Sequence, residues 1–354
     1  MTQSLAAAPP AEEPSTSLLR PRPLLRPRPG PLLLAVGVLL LLCLASLAIG
    51  AKAIPPNQVW HGLFHPTGTE NDVIVRGLRV PRTLTALAVG AALGLAGTLM
   101  QSMTRNPLAD PGLLGVNAGA SAAVVTAIAF LGVGTTTGYV WFALAGAGVA
   151  TVLVCALGGL GAVSPVRLAL AGTAVNAALV GYIGGVELLD QQALDQLRMW
   201  SVGSLAGSTT GNLLACLPLL LAGVLLCVLA ARPLNALALG EDAARAVGVG
   251  VVRARVAGVL AITLLCGAAT ALCGPIAFVG LMVPHLVRSR TGPDLRRMLP
   301  RALLLAPALL LAADIAGRVL AEPGEVPAGV MTAIVGAPVF VALVRGRRGR
   351  VAGL

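Results

Sequence analysis

Lysine is almost missing from this chain: Lys52, in AIGAKA, is the single one among 25 basic residues. A phosphate loop of the G-x-x-x-x-G-K-[ST] type needs a lysine at the end of a glycine loop, so the chain holds no such ATP site of its own. Aromatics make up 3% of the residues and do not interleave with the arginines. Without that stacking component no nucleic-acid partner is expected, and the charge of +11 reads as membrane orientation. Cys43, Cys155, Cys216, Cys227, Cys266 and Cys273 sit inside apolar runs with no C-x-x-C spacing, which argues against metal ligation and against a disulfide framework. His61 and His65 fall in a loop, and His285 follows Pro284 beside a basic flank, so no metal site is expected. Paired acid–base groups and nucleophile constellations are lacking too, and the chain is not read as an enzyme.

What it has in abundance is long apolar stretches. Of 354 residues 56% are hydrophobic and 11% charged, with a mean hydropathy of +0.88. Run after run reaches the roughly 20 apolar residues that cross a bilayer core. The fold class is an all-α polytopic membrane protein, with the lipid bilayer as its first partner. Residues 1–30, where Arg20, Arg22, Arg26 and Arg28 are separated by prolines that block a helix, read as a disordered basic leader. The run 31–50 precedes Ala51-Lys52-Ala53, which fits a small-x-small cleavage site. It is longer than the usual apolar core of about 7–15 residues in a signal peptide, so it is read as an uncleaved first span.

Further spans are expected at 83–103, from the breaker string RNPLADPGLLG to about 132, and at 139–160, 168–185, 213–231, 299–320 and 326–344. The run 256–287 is flanked by Arg253 and Arg255 on one side and Arg288 and Arg290 on the other, so both its ends belong in the cytoplasm and it must cross twice. It supplies about 48 Å of straight helix against roughly 60 Å for two full crossings. At least one of its helices is then short or broken, and Gly274-Pro275 is where the break belongs, because proline removes a backbone donor. That makes ten spans with both termini cytoplasmic, divisible into two inverted halves of five.

The polar interruption RPLNALALGEDAARAVGVGVVRAR, 232–255, is expected to hold a short helix around 241–247 and to receive a soluble partner. Gly90, Ala91, Gly94 and Gly97 suit close helix packing. An ion-coupled carrier would show ionisable groups at membrane depth. Here Asp314 lies near the outer end of the ninth span, with Arg318 four residues on as its expected partner. Energy for transport should come instead from a separate ATPase docked on 232–255. A secondary carrier is the alternative, distinguished by whether uptake survives ATP depletion while the ion gradient is held.

The strings RVPRTLTALAVGAALGLAGTLMQSMTRNPLADPGLLGVNAGAS (79–121), LGEDAARAVGV (239–249), GPIAFVGLMVPHLVR (274–288), ADIAGR (313–318) and GAPVF (336–340) resemble the FecCD permease family in order and spacing over about 31–346. These are the ten-span subunits of type II ABC importers for ferric siderophores, haem and vitamin B12. RNPLADPGLLGVNAGAS, SPVRL and LAITLLCGAATA are most similar to the ferric-enterobactin type. The resemblance implies a permease domain at 31–346, followed by a basic tail at 347–354, in the cytoplasmic membrane. It also implies two copies of an ATPase that hold ATP and Mg, a second permease subunit (non-identical favoured, identical possible) and an extracytoplasmic siderophore-binding protein. This chain would bind no cofactor. A haem or cobalamin importer is the alternative within the family.

The resemblance carries roles to matching residues. Leu239, Gly240, Glu241, Asp242, Ala243, Arg245, Gly248 and Val249 match two short coupling helices that sit on the ATPase. Arg79, Arg82 and Arg318 match arginines that dock carboxylates of the binding protein, against interfacial snorkelling for the first two and the Asp314 pair for the third. Asn106, Leu108, Pro165 and Val166 match a cytoplasmic gate, although Pro165-Val166 departs from the small polar pair found there. Gly274, Pro275 and Pro284 mark the helix break beside the pathway. Ser121, Asn176 and Gln101 either face that pathway or bond between helices.

Overall fold

In a computed structural model, residues 30–50, 52–159, 165–321 and 324–351 are described, and among them the chain is helical without strands. The expected leader therefore lies outside the described residues. In chain order the helices are α1 (Gly30–Ala48), α2 (Pro56–Phe64), α3 (Glu70–Val73), α4 (Val80–Met103), α5 (Val116–Leu131), α6 (Thr136–Gly158) and α7 (Pro165–Leu189). They continue as α8 (Gln191–Ser201), α9 (Thr210–Ala238), α10 (Glu241–Ala246), α11 (Val251–Cys273), α12 (Val279–Thr291), α13 (Leu295–Leu320) and α14 (Ala328–Val351).

Among the described residues, seven helical stretches are long and apolar enough to cross a membrane: α1, the continuous Glu70–Met103, α6, α7, α9, α11 and α13. α5 and α14 are shorter apolar helices, and the 13-residue α12 stands where the eighth of the ten expected spans was placed. The break between the seventh and eighth falls where the length argument put it. α11 ends at Cys273, Gly274 turns with φ +74, and α12 begins at Val279 after Pro275.

Three features differ from the sequence reading. The thirty-residue loop before the second span is largely helical, holding α2 and α3, and a six-residue π-helical stretch, Ile74–Arg79, joins α3 to α4 without a gap. Thr69 and Asp72 form a reciprocal capping box at the start of α3, a short-range device masked by the polar composition. α8 is likewise a short amphipathic helix, capped by the Asp190 carboxylate on the amides of Gln192 and Ala193. Finally, the interruption at 232–255 shrinks to about a dozen residues. α9 continues through Arg232 to Ala238 despite Pro218 and Pro233, and α11 already includes Arg253 and Arg255. A helix that leaves the bilayer keeps its hydrogen bonds while its side chains turn polar.

α4 is the axis of the bundle, packed on α13, α11, α12 and α9. Its glycines make this possible. A Cβ on Gly90 would lie 2.5 Å from Pro307 Cα, one on Gly94 would lie 2.5 Å from Ala306 Cβ, and one on Gly97 would overlap the Gly280 carbonyl oxygen. Pro284, expected at the helix break, lies instead inside α12; it lacks the amide that would otherwise bond Gly280, so that carbonyl is free to lie against α4. Gln101, left between pathway and packing by the sequence, donates from Nε2 to the Leu281 carbonyl at 3.0 Å. α1, by contrast, exposes Leu33, Leu34, Leu40 and Leu41 and buries Ser46.

Candidate functional site

The two ends of α4 lie about 36 Å apart at 1.5 Å per residue, and each gathers one set of the predicted residues. At its C-terminal end stands α10. Gly240, at φ +126, turns the chain into this helix, and Glu241 and Asp242 occupy its first turn, where carboxylates suit the positive helix end. Arg245 pairs with Glu241 at 3.1 Å and with Asp242 at 3.3 Å, and Glu241 also takes Arg255 of α11. Arg255 beside it holds the Glu241 carboxyl below the usual carboxylate range, with Arg245 and Arg105 acting in the same sense.

The far side of α10 closes on itself. Gly248 adopts φ +79 and donates to the Arg245 carbonyl at 2.9 Å, while the Val249 amide donates to Ala244 at 2.9 Å. This is a Schellman stop, so Gly248 and Val249 shape the element from within. Ala244 is fully buried and anchors it. Leu239, Asp242, Ala243 and Val247 are left exposed, Leu239 at 82%. One short helix is present here where the resemblance implied two, because the second stretch is already the first turn of α11.

The predicted gate residues lie beside it. Asn106 and Leu108 are exposed on the loop after α4, with Asn106 Oδ1 accepting the Leu108 amide at 3.0 Å. Val166 is exposed in the first turn of α7, whereas the loop ahead of Pro165 lies outside the described residues. Ser102, Thr104, Arg105, Leu237, Glu241 and Arg255 help to line a cavity of about 170 Å³ between α10 and the bundle.

At the opposite end the three predicted docking arginines converge, but turned inward. Arg79 is 6% exposed and donates to the carbonyls of Leu47 and Lys52, closing the end of α1. Arg318 pairs with Asp314, as the i,i+4 spacing led us to expect, and also donates to Ser46 and Ile49 carbonyls at 2.9 and 3.1 Å. Arg82 grips the same Asp314 carboxylate from 232 positions away, with contacts of 2.7 to 3.2 Å. It also reaches Glu325 at 2.6 Å. Glu325 is the accessible member at 40%, and the Arg82 guanidinium keeps its carboxyl low. Sequence reading missed Ser46, Thr83 and Glu325 here. A lone serine in an apolar helix was the available signal, and Ser46 Oγ does meet Thr83 Oγ1 at 2.8 Å.

Near this end three backbone segments interlock. A Cβ on Gly274 would overlap the Trp200 carbonyl, one on Gly203 the Pro275 carbonyl, and one on Gly329 the Val202 carbonyl. The Ser204 amide bonds Cys273 and the Gly329 amide bonds Gly203, each at 2.8 Å. His285 is buried in α12, and no group of three potential metal ligands occurs among the described residues. Ser121 is partly buried on α5, while Asn176 is exposed on α7.

The chain as a whole is similar to proteins of known kind. The ferric enterobactin transport system permease protein FepD of Escherichia coli (strain K12) is 50% identical over 315 residues, covering 87% of this chain and 94% of that one. The iron(3+)-hydroxamate import system permease protein FhuB of Bacillus subtilis (strain 168) is 37% identical over 326 residues, covering 90% and 84%. A metal-chelate type ABC transporter solved in an inward-facing conformation superposes with a TM-score of 0.79 at 28% identity, over 90% of this chain and all of that one. The FecCD transport family model matches residues 38–346, from within α1 into α14, and the chain belongs to that family.

Proposed function

We propose that this chain is the membrane-spanning subunit of an ATP-driven importer that takes a ferric siderophore of the catecholate, enterobactin-like class from a binding protein and passes it across the cytoplasmic membrane. The observation that carries this is the 50% identity to a ferric enterobactin permease over nearly its whole length. The hydroxamate relative, matched over 90% of this chain, stands at 37%. In this reading α10 faces the cytoplasm, and its exposed Leu239, Asp242, Ala243 and Val247 meet a separate ATPase, present in two copies with ATP and Mg. The end that holds Arg82 and Glu325 faces outward. A binding protein's carboxylate would meet Arg82 there, with Arg79 and Arg318 as internal supports behind it. A second, non-identical permease subunit would complete the pathway.

The test is uptake of radiolabelled iron in cells that express the chain with its own partners, supplied in turn as ferric enterobactin, a ferric hydroxamate and haem. Uptake of the enterobactin complex, lost on ATP depletion, is the expected result. Uptake of haem or hydroxamate in its place would overturn the substrate class. Uptake that persists without ATP while an ion gradient is held would overturn the energy source.

A further inference from the structure

Arg105 is one of two residues other than glycine with a positive φ among those described, at +50. That conformation is uncommon for a long side chain and persists where the surroundings hold it. It ends α4 and starts the turn that exposes Asn106 and Leu108. From this turn the guanidinium reaches across the chain to the Leu237 carbonyl near the end of α9. Leu237 already accepts the Gly240 amide at 3.1 Å, so Arg105 binds at the pivot from which α10 departs. Carbonyls at a helix C-terminus carry partial negative charge and favour a cation. Arg105 also lines the cavity beneath α10 with Glu241 and Arg255, and its charge acts on Glu241.

We infer that Arg105 is a positioning residue, a strut that fixes the exposed 106–108 loop to the root of α10 so that the two shift together. The inference rests on the proposed function for its purpose, since it makes α10 the receiver of the ATPase stroke and 106–108 the part that answers. The contact itself is independent of that reading. A lysine would reach the carbonyl with one ammonium but could not span from Leu237 towards Glu241 as a planar fork does.

The test places spin labels at Leu108→Cys and Val247→Cys in the full chain in lipid nanodiscs, with Cys43→Ala because the other five cysteines are buried. Arg105→Gly deletes the guanidinium while accepting the positive φ, so backbone strain does not confuse the outcome. Arg105→Asn serves as a second variant should the glycine form fold poorly. A narrow distance distribution is expected with Arg105, at least doubled in width in both variants. In the assembled importer, ATP hydrolysed per iron imported should rise about five-fold at a hydrolysis rate within two-fold of the native one. An unchanged distribution overturns the strut. A broadened distribution in a chain that recruits no ATPase supports the strut and counts against the proposed function instead.

Discussion

Asp314 is 1% exposed and shared by two guanidiniums, Arg82 and Arg318. Asp314→Ala would leave the buried Arg318 guanidinium without its carboxylate and Arg82 with Glu325 alone, and removing one partner of such a network costs about 3–5 kcal/mol. Thermal unfolding of the solubilised chain should show that loss, with Asp314→Asn retaining part of it because the amide oxygen still accepts. Half of this network was legible. Arg318 stands one helical turn from Asp314, whereas Arg82 is 232 positions away and no spacing rule reaches that far. Glu241 permits a prediction in pH. Its carboxyl is held below its ordinary value, so its contribution is present above the unfolded value of about 4.3 and fades as pH falls through the lower folded one. Protection of the α10 amides from hydrogen exchange should therefore hold at pH 5 and decline only below the usual carboxylate range. Loss of protection between pH 7 and 5 would contradict the Arg255 pair.

At the scale of elements, glycine contacts set how closely helices approach. Gly97→Ala should drive α4 off the Gly280 carbonyl and cost about 1–3 kcal/mol, read as a lowered unfolding midpoint. Gly181→Ala, with nothing within 4 Å of its added carbon, is the control and should hold or raise that midpoint. The long helices and the break at Gly274-Pro275 were readable because bilayer thickness limits how many residues a crossing needs. α2, α3 and α8 were not, because helices of 9, 4 and 11 residues with polar faces carry too few turns to show a period. Continuation of α9 past Arg232 escaped for another reason. Apolar composition marks where lipid ends, not where a helix does.

For the whole molecule, the contrast between α1 and α7 is informative. α1 offers lipid an almost unbroken leucine surface, while α7 exposes Thr173, Asn176 and Gly181 beside Val180 and Tyr182. A face of small and polar residues suits another protein surface or a watery path better than acyl chains. Val180→Arg is expected to reduce recovery of the proposed second permease subunit with the tagged chain at least five-fold while the unfolding midpoint holds. Equal recovery would place the subunit boundary elsewhere. How α1 is attached also says something about how the protein is made. Its C-terminal end is fastened by Ser46, which finds Thr83 early in the sequence but Arg318 only near its close. α13, its main packing neighbour, leaves the ribosome some 250 residues after α1. At about 5–20 residues per second the first helix waits for α13 on the order of tens of seconds. Its leucine surface is what lets it wait in lipid as a stable, separately inserted anchor until the rest of the bundle is synthesised.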